Sequence, residues 1–139
     1  MDVKFTNILT PKEKSDWEIF CNNFPTVSIM QKPGWTEVYQ LSRKARYALM
    51  YEQSSPMAVA VIVERFPVAD VYWGPVCENE EISSIFVTKI IRHYKYRLFA
   101  KIRIRPPQIE HINPEKAPET VADVWSTMVV DLNDEGYIR

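Results

Sequence analysis

The sequence predicts an α/β fold, a mixed sheet with helices on its faces and one βαβ crossover. Three observations carry this. Ala58-Val59-Ala60-Val61-Ile62-Val63 is a near-continuous apolar run, the pattern of a central strand covered on both sides. An amphipathic segment from about Glu80 to Tyr96 lies between two strand-like segments, and strand, helix and strand in that order favour a right-handed crossover. The 139 residues, 46% of them apolar, match one domain with one hydrophobic core.

The elements follow in order. Asp2 to Ile8 is a candidate short strand. Thr10-Pro11-Lys12-Glu13 is a helix start: Thr10 caps, Pro11 takes the first helical position and Glu13 completes a capping box. Trp17, Phe20, Cys21 and Phe24 then recur at helical spacing, and Pro25 ends the helix. Pro33 opens a shorter helix whose Trp35, Val38 and Tyr39 share a face. Arg46 to Glu52 alternates, with Tyr47, Leu49 and Tyr51 on one side. Gln53-Ser54-Ser55-Pro56 reads as a turn. Met57 to Phe66 holds the central strand, and Ala69 to Trp73 is the next, broken by Gly74-Pro75.

Asn79 caps the long helix. Ile82, Ile85, Phe86, Ile90 and His93 line one face of it. Acids stand at its start, and Arg92, Lys95 and Arg97 at its end, in accord with the helix dipole. Leu98 to Arg105 alternates again: Leu98, Ala100, Ile102 and Ile104 face one way, and Phe99, Lys101, Arg103 and Arg105 the other. A polar, proline-bearing connection runs from Pro106 to Asp123, and Thr127 to Leu132 is the last strand. Asn133-Asp134-Glu135 reads as a cap and an acidic first turn. One turn of helix has no stability of its own, so either it frays or the chain continues past Arg139.

Composition excludes several classes. The formal net charge is −1, so the whole molecule has no bias toward nucleic acid. The charge is uneven, however. Six basic residues and no acid lie between Arg92 and Arg105, interleaved with Tyr94, Tyr96 and Phe99. Such a stripe can hold phosphates or RNA, or it can be a solvated helix end followed by an exposed strand face. No apolar run is long enough for a membrane span, and Met1-Asp2-Val3-Lys4 lacks the form of a signal peptide. Cys21 and Cys77 read as reduced thiols, which places the protein in the cytoplasm. Three glycines, Gly34, Gly74 and Gly136, do not make a phosphate loop. Cys21, Cys77, His93 and His111 are too scattered for zinc. Cys77 with His93 or His111 is a formal nucleophile pair, but His93 on an apolar helix face is more simply a packed histidine. Glu80-Glu81 and Asp134-Glu135 sit at helix starts, where acids are stabilising anyway.

Four short words in this order resemble the FemAB-type proteins, the peptidoglycan bridge-forming aminoacyltransferases related to the GNAT acyltransferases. Gln31-Lys32-Pro33-Gly34-Trp35 resembles their Q-x-x-x-W segment. Tyr72-Trp73-Gly74-Pro75-Val76 is similar to their strand ending in G-P-V. Arg103-Ile104-Arg105-Pro106 resembles R-x-D-P. Val130-Asp131-Leu132-Asn133-Asp134-Glu135 resembles the hydrophobic-D-L-S-x-x-E segment that closes the first half. The similarity runs from about Asp16 to Arg139. It implies a GNAT-like mixed, mostly antiparallel sheet. It also implies that this chain is the first of two GNAT-like halves, the half against which the cell-wall precursor largely lies. The expected partners are then the missing second half, a peptidoglycan or sugar-nucleotide precursor and, through the basic stripe, tRNA.

The departures are as informative. A GNAT cofactor turn offers backbone N–H groups to a diphosphate at a helix N-terminus. Here the turn is Gly74-Pro75-Val76-Cys77-Glu78-Asn79-Glu80-Glu81. Pro75 has no N–H, and three glutamates repel a diphosphate. No acyl-CoA cofactor is therefore expected. Arg105 stands in place of the acid of R-x-D-P, and Tyr39 where some relatives carry a base. The connection after Pro106 is also short for the extra helix of many relatives. The expected substrate-binding residues are Trp35, Tyr39, Tyr72, Arg103 and Arg105, with no general base and little activity for this half alone. Two other readings stay open: a stand-alone, non-catalytic binding module, and a small RNA- or phosphate-binding protein using the Arg92–Arg105 stripe.

Overall fold

A computed structural model describes residues 1–24, 27–42, 44–105 and 128–133. Strand β1 (Val3–Thr6) leads to helix α1 (Pro11–Asn22), a short 3-10 turn (Ile29–Gln31) and helix α2 (Pro33–Ser42). Strands β2 (Lys44–Glu52), β3 (Ser55–Arg65), β4 (Val68–Val71) and β5 (Val76–Cys77) follow. Helix α3 (Glu80–Tyr96) and strands β6 (Lys101–Ile104) and β7 (Met128–Asp131) complete the order. The expected connection from Pro106 to Asp123 and the acidic turn at Asp134 and Glu135 lie outside the described residues.

The strands form one mixed sheet in the order β1-β2-β3-β4-β6-β7, with β5 returning to pair with β3. Every pairing is antiparallel except β4 with β6. That single parallel pair, joined through α3, is the predicted βαβ unit. β3 is central and buried on both faces. Ala58, Ala60 and Ile62 pack in the cluster under α3, and Val59 and Val61 in the cluster under α1. The α3 side of the sheet is rich in small residues: Ala48, Ala58, Ala60 and Ala69. They make room for the large side chains of Phe86, Ile90 and Tyr94 at close-packed density.

Local chemistry sets the boundaries. The Thr10 side chain accepts from the Glu13 N–H, and Pro11 opens α1. The Asn79 side chain accepts from the Ile82 N–H at the start of α3. On the α1 side, fully buried Trp17 sets its ring edge-on to Tyr47 at 5.6 Å. Its indole N–H donates to the Gln31 carbonyl at 2.8 Å.

Helix α2 buries Pro33 and Thr36, while Trp35 is half-buried and Val38 exposed. The Thr36 hydroxyl bonds to the Tyr47 hydroxyl, which rotates α2 toward the sheet by its polar residue. The alternation assigned from Leu98 begins only at Ile102. Leu98 has φ 64° and is exposed, while Phe99 is buried. The reason is the helix ending. The Leu98 N–H donates to Lys95 O and the Phe99 N–H to Tyr94 O, a Schellman closure that turns the chain before the strand starts.

Candidate functional site

β4 parts from β3 after the Val63–Asp70 pair, and β5 rejoins β3 at Val59. Residues 72–75 between them stay with β6. Arg105 N–H donates to Val71 O at 2.9 Å, and Gly74 N–H to Arg105 O at 3.0 Å. The opened seam is filled by one side chain. Gln31 is fully buried; its Nε2 donates to Tyr72 O at 2.6 Å, and its Oε1 accepts from Val61 N–H at 2.9 Å. It thus replaces the missing ladder rung, as buried backbone groups require. Gly74 leaves space for it, since a Cβ there would lie 2.6 Å from Gln31 Cδ.

A charged cluster lies beside this seam. Ile102 and Ile104 pack under α3, so Lys101, Arg103 and Arg105 occupy the opposite face. Asp70 is in register with Arg103 and almost fully buried. Arg103 binds it with two hydrogen bonds, Nε to Oδ1 at 2.6 Å and Nη2 to Oδ2 at 2.9 Å. Arg65 Nη2 adds a third at 2.8 Å and reaches the Tyr72 hydroxyl at 3.3 Å. The Arg105 guanidinium lies 4.9 Å from the centre of the Tyr72 ring, within cation–π range. Burial pushes the Asp70 carboxyl up, but the two arginines outweigh it and hold it below the usual carboxylate range. Two guanidinium groups share the Asp70 carboxylate and a third, Arg105, stands beside them on Tyr72, so this face carries surplus positive charge.

A cleft of about 540 Å³ lies between α1 and α2, lined by Glu18, Asn22, Ile29, Lys32, Pro33 and Trp35. The turn from Gly74 to Glu81, with the first turn of α3 behind it, has some of its donors engaged. Gly74 N–H bonds to Arg105, Glu78 N–H to Met57 O, and Ile82 and Ser83 N–H to Asn79. Glu78, Glu80 and Glu81 are exposed beside them. A diphosphate meets these carboxylates there.

Of the expected site residues, the fold brings Tyr72, Arg103 and Arg105 together. Trp35 lines the α1–α2 cleft instead, and Tyr39 lies in α2 with its side chain outside the described part. The basic stripe is not one surface: Arg92 and Lys95 belong to α3, whereas Arg103 and Arg105 are on the far side of the sheet. Burial raises the Cys77 thiol to about 12, which leaves no thiolate for a nucleophile pair. His93 stacks on Phe5 at 3.7 Å, the packed role expected of it, and His111 lies outside the described residues. Sequence reasoning missed Arg65 and Asp70, although an acid between the apolar Ala69 and Val71 of a strand signals a buried cation partner. It quoted Gln31 only as part of a word. Among the described residues no helix is long and apolar enough to cross a membrane, and no group of His, Cys, Asp and Glu converges to hold a metal.

No protein-family model matches the sequence, and no curated protein does either. Solved structures do match. Tetrahymena GCN5 superposes with a TM-score of 0.58 at 14% identity, covering 96% of this chain and 97% of that one. An aminoglycoside 6'-acetyltransferase type Ii gives 0.62 at 12% identity, covering 97% and 99%. FemX gives 0.59 at 18% identity, covering 84% of this chain but only 30% of FemX. The chain therefore has the GNAT fold, with its mostly antiparallel sheet flanked by helices, and it spans less than a third of FemX.

Proposed function

We propose that this GNAT-fold chain is the N-terminal, substrate-holding half of a FemAB-like aminoacyl- or acyltransferase acting on a cell-wall or polysaccharide precursor. The observation that carries the reading is the Gly74–Glu81 turn. A GNAT fold whose cofactor turn holds Pro75, which has no N–H, and three exposed glutamates is a poor host for acyl-CoA. The FemAB-like words and the likeness to part of FemX point the same way.

In the whole enzyme, a substrate amine attacks the carbonyl of an activated ester. The C–N bond forms, the ester C–O bond breaks, the alcohol leaves, and the amine proton passes to a base. This half does not supply that base from its charged cluster. Asp70 is held ionised by Arg65 and Arg103 and is therefore a weak acceptor. Its role is to hold. Arg105, anchored on Tyr72, presents a fixed cation to an anionic group of the precursor. The stand-alone RNA reading loses ground because Arg103 is already bound to Asp70 and the stripe is divided between two faces.

Calorimetry and thermal shift with a nucleotide-linked stem-peptide precursor, run beside CoA and acetyl-CoA, test the proposal. The precursor binds and raises the Tm, Arg105→Ala weakens that binding, and neither CoA compound has an effect. Micromolar binding of acetyl-CoA, or no binding of the precursor, overturns it.

A further inference from the structure

The Schellman closure of α3 needs a left-handed residue at Leu98, a position usually given to glycine because a Cβ is strained there. Leucine occupies it with φ 64°. Burial does not explain the choice, since Leu98 is 81% exposed. Tyr96, the last residue of α3, is 85% exposed, and Phe66 at the β3–β4 turn is 70% exposed. The two turns lie side by side. Ala100 and Lys101 N–H groups donate to Pro67 O at 2.8 and 3.3 Å, and the Phe66 ring stands edge-on to buried Phe99 at 5.2 Å. Two adjoining turns at one end of the sheet thus expose three large apolar side chains, and exposed apolar surface of this kind marks an interaction site.

The surroundings select the partner. Lys95 and Arg97 at the end of α3 and Lys101 at the start of β6 border these turns, against one exposed acid, Asp131, in register with Lys101. The acids of the neighbouring hairpin, Glu64 and Asp70, are buried against arginines. An apolar tip with an aromatic at its edge and a basic surround matches the boundary of an anionic bilayer. RNA fits less well. Leu98 gives a base no flat surface to stack on, and stacking is what sequence-tolerant RNA binding uses. We propose that this end of the molecule docks on an anionic lipid surface through Phe66, Tyr96 and Leu98. It lies at the opposite end of β4 from Tyr72, roughly 15 Å along the strand, so docking and ligand binding are separate events.

The test is co-sedimentation of the full chain with vesicles of equal parts phosphatidylglycerol and phosphatidylcholine, and with phosphatidylcholine alone. The chain binds the first and not the second, and high salt weakens the binding. Leu98→Gly relieves the backbone strain, so it keeps or raises the Tm while lowering vesicle binding about tenfold. Tyr96→Ser lowers binding with an unchanged Tm, and Arg97→Glu with Lys101→Glu abolishes it. Equal binding by Leu98→Gly and the parent chain overturns the proposal. So does failure of the parent chain to bind anionic vesicles, whether the patch instead drives self-association or salt-sensitive RNA binding that Leu98→Gly removes.

Discussion

Two arginine–carboxylate sites stand on opposite faces of the same sheet, and they differ in how they meet water. On the α3 side, Arg46 Nε bonds to Glu64, which also accepts from the Tyr94 hydroxyl at 3.0 Å. The side chains of this pair are 10% and 4% exposed. On the other side Asp70 is just as buried, but its partners Arg103 and Arg65 are 33% and 41% exposed. The first site is closed and has no donor to offer a ligand. The second keeps its acid inside and its cations at the rim. Burial of the carboxylate alone thus does not tell a structural ion pair from a candidate binding site; the exposure of the cation does.

The largest expected effect is at the closed site. Glu64→Ala leaves the Arg46 charge buried without its partner and lowers stability by about 3–5 kcal/mol, measured by urea unfolding. Next is its titrating neighbour. Burial, with Arg97 and Arg46 adding repulsion, lowers His93 to about 4. In the fold the imidazole is neutral, whereas the unfolded chain takes up a proton below about 6.5. Stability is therefore full above that pH and falls as pH drops toward 4. His93→Gln flattens this slope in Tm against pH.

At the open site, Asp70→Asn costs only about 1–2 kcal/mol, because the freed guanidinium groups reach solvent. It also removes the loss of stability that the lowered Asp70 carboxyl produces below pH 4, since a depressed carboxyl stabilises above its unfolded value and not below its folded one. An equal loss in Asp70→Asn and Glu64→Ala would erase the distinction. Smallest is Tyr72→Phe. It deletes the 3.3 Å hydroxyl contact to Arg65 but keeps the ring beneath Arg105, and costs less than about 1 kcal/mol. Its unfolding midpoint stays near that of the parent chain, while Tyr72→Ala frees Arg105 and weakens precursor binding.

Long, regular signals were legible in the sequence. The apolar run of β3, the capped amphipathic α3 and the parallel crossover follow from periodicity that nothing in the tertiary structure opposes. Tyr47 and Leu49 share the predicted face of β2. Short elements were not legible. β5 has two residues, and its pairing is set by Glu78 N–H reaching Met57 O and by the ladder to β3, contacts far apart in sequence. The Leu98–Phe99 inversion escaped because an apolar alternation looks the same with or without a left-handed residue inside it. Of the charged cluster, Tyr72, Arg103 and Arg105 were singled out through family-like words. Asp70 was missed because its main partner, Arg103, lies 33 residues away on a strand joined by register, and Arg65 has meaning only through Asp70.

The seam plug ties two distant positions into one unit of variation. Gln31 fills the space that Gly74 leaves and supplies both bonds the open ladder lacks. Neither can change freely by itself: a larger residue at 74 evicts the amide, and a shorter one at 31 strands Val61 N–H and Tyr72 O. In a combinatorial library over these two positions, functional clones should be recovered as matched pairs, and intermediates carrying one change should be scarce. Because Gln31 also holds the Trp17 indole through its carbonyl, that pairing extends to α1. The helix bordering the Trp35 cleft and the strand end bearing Tyr72 are therefore inherited together.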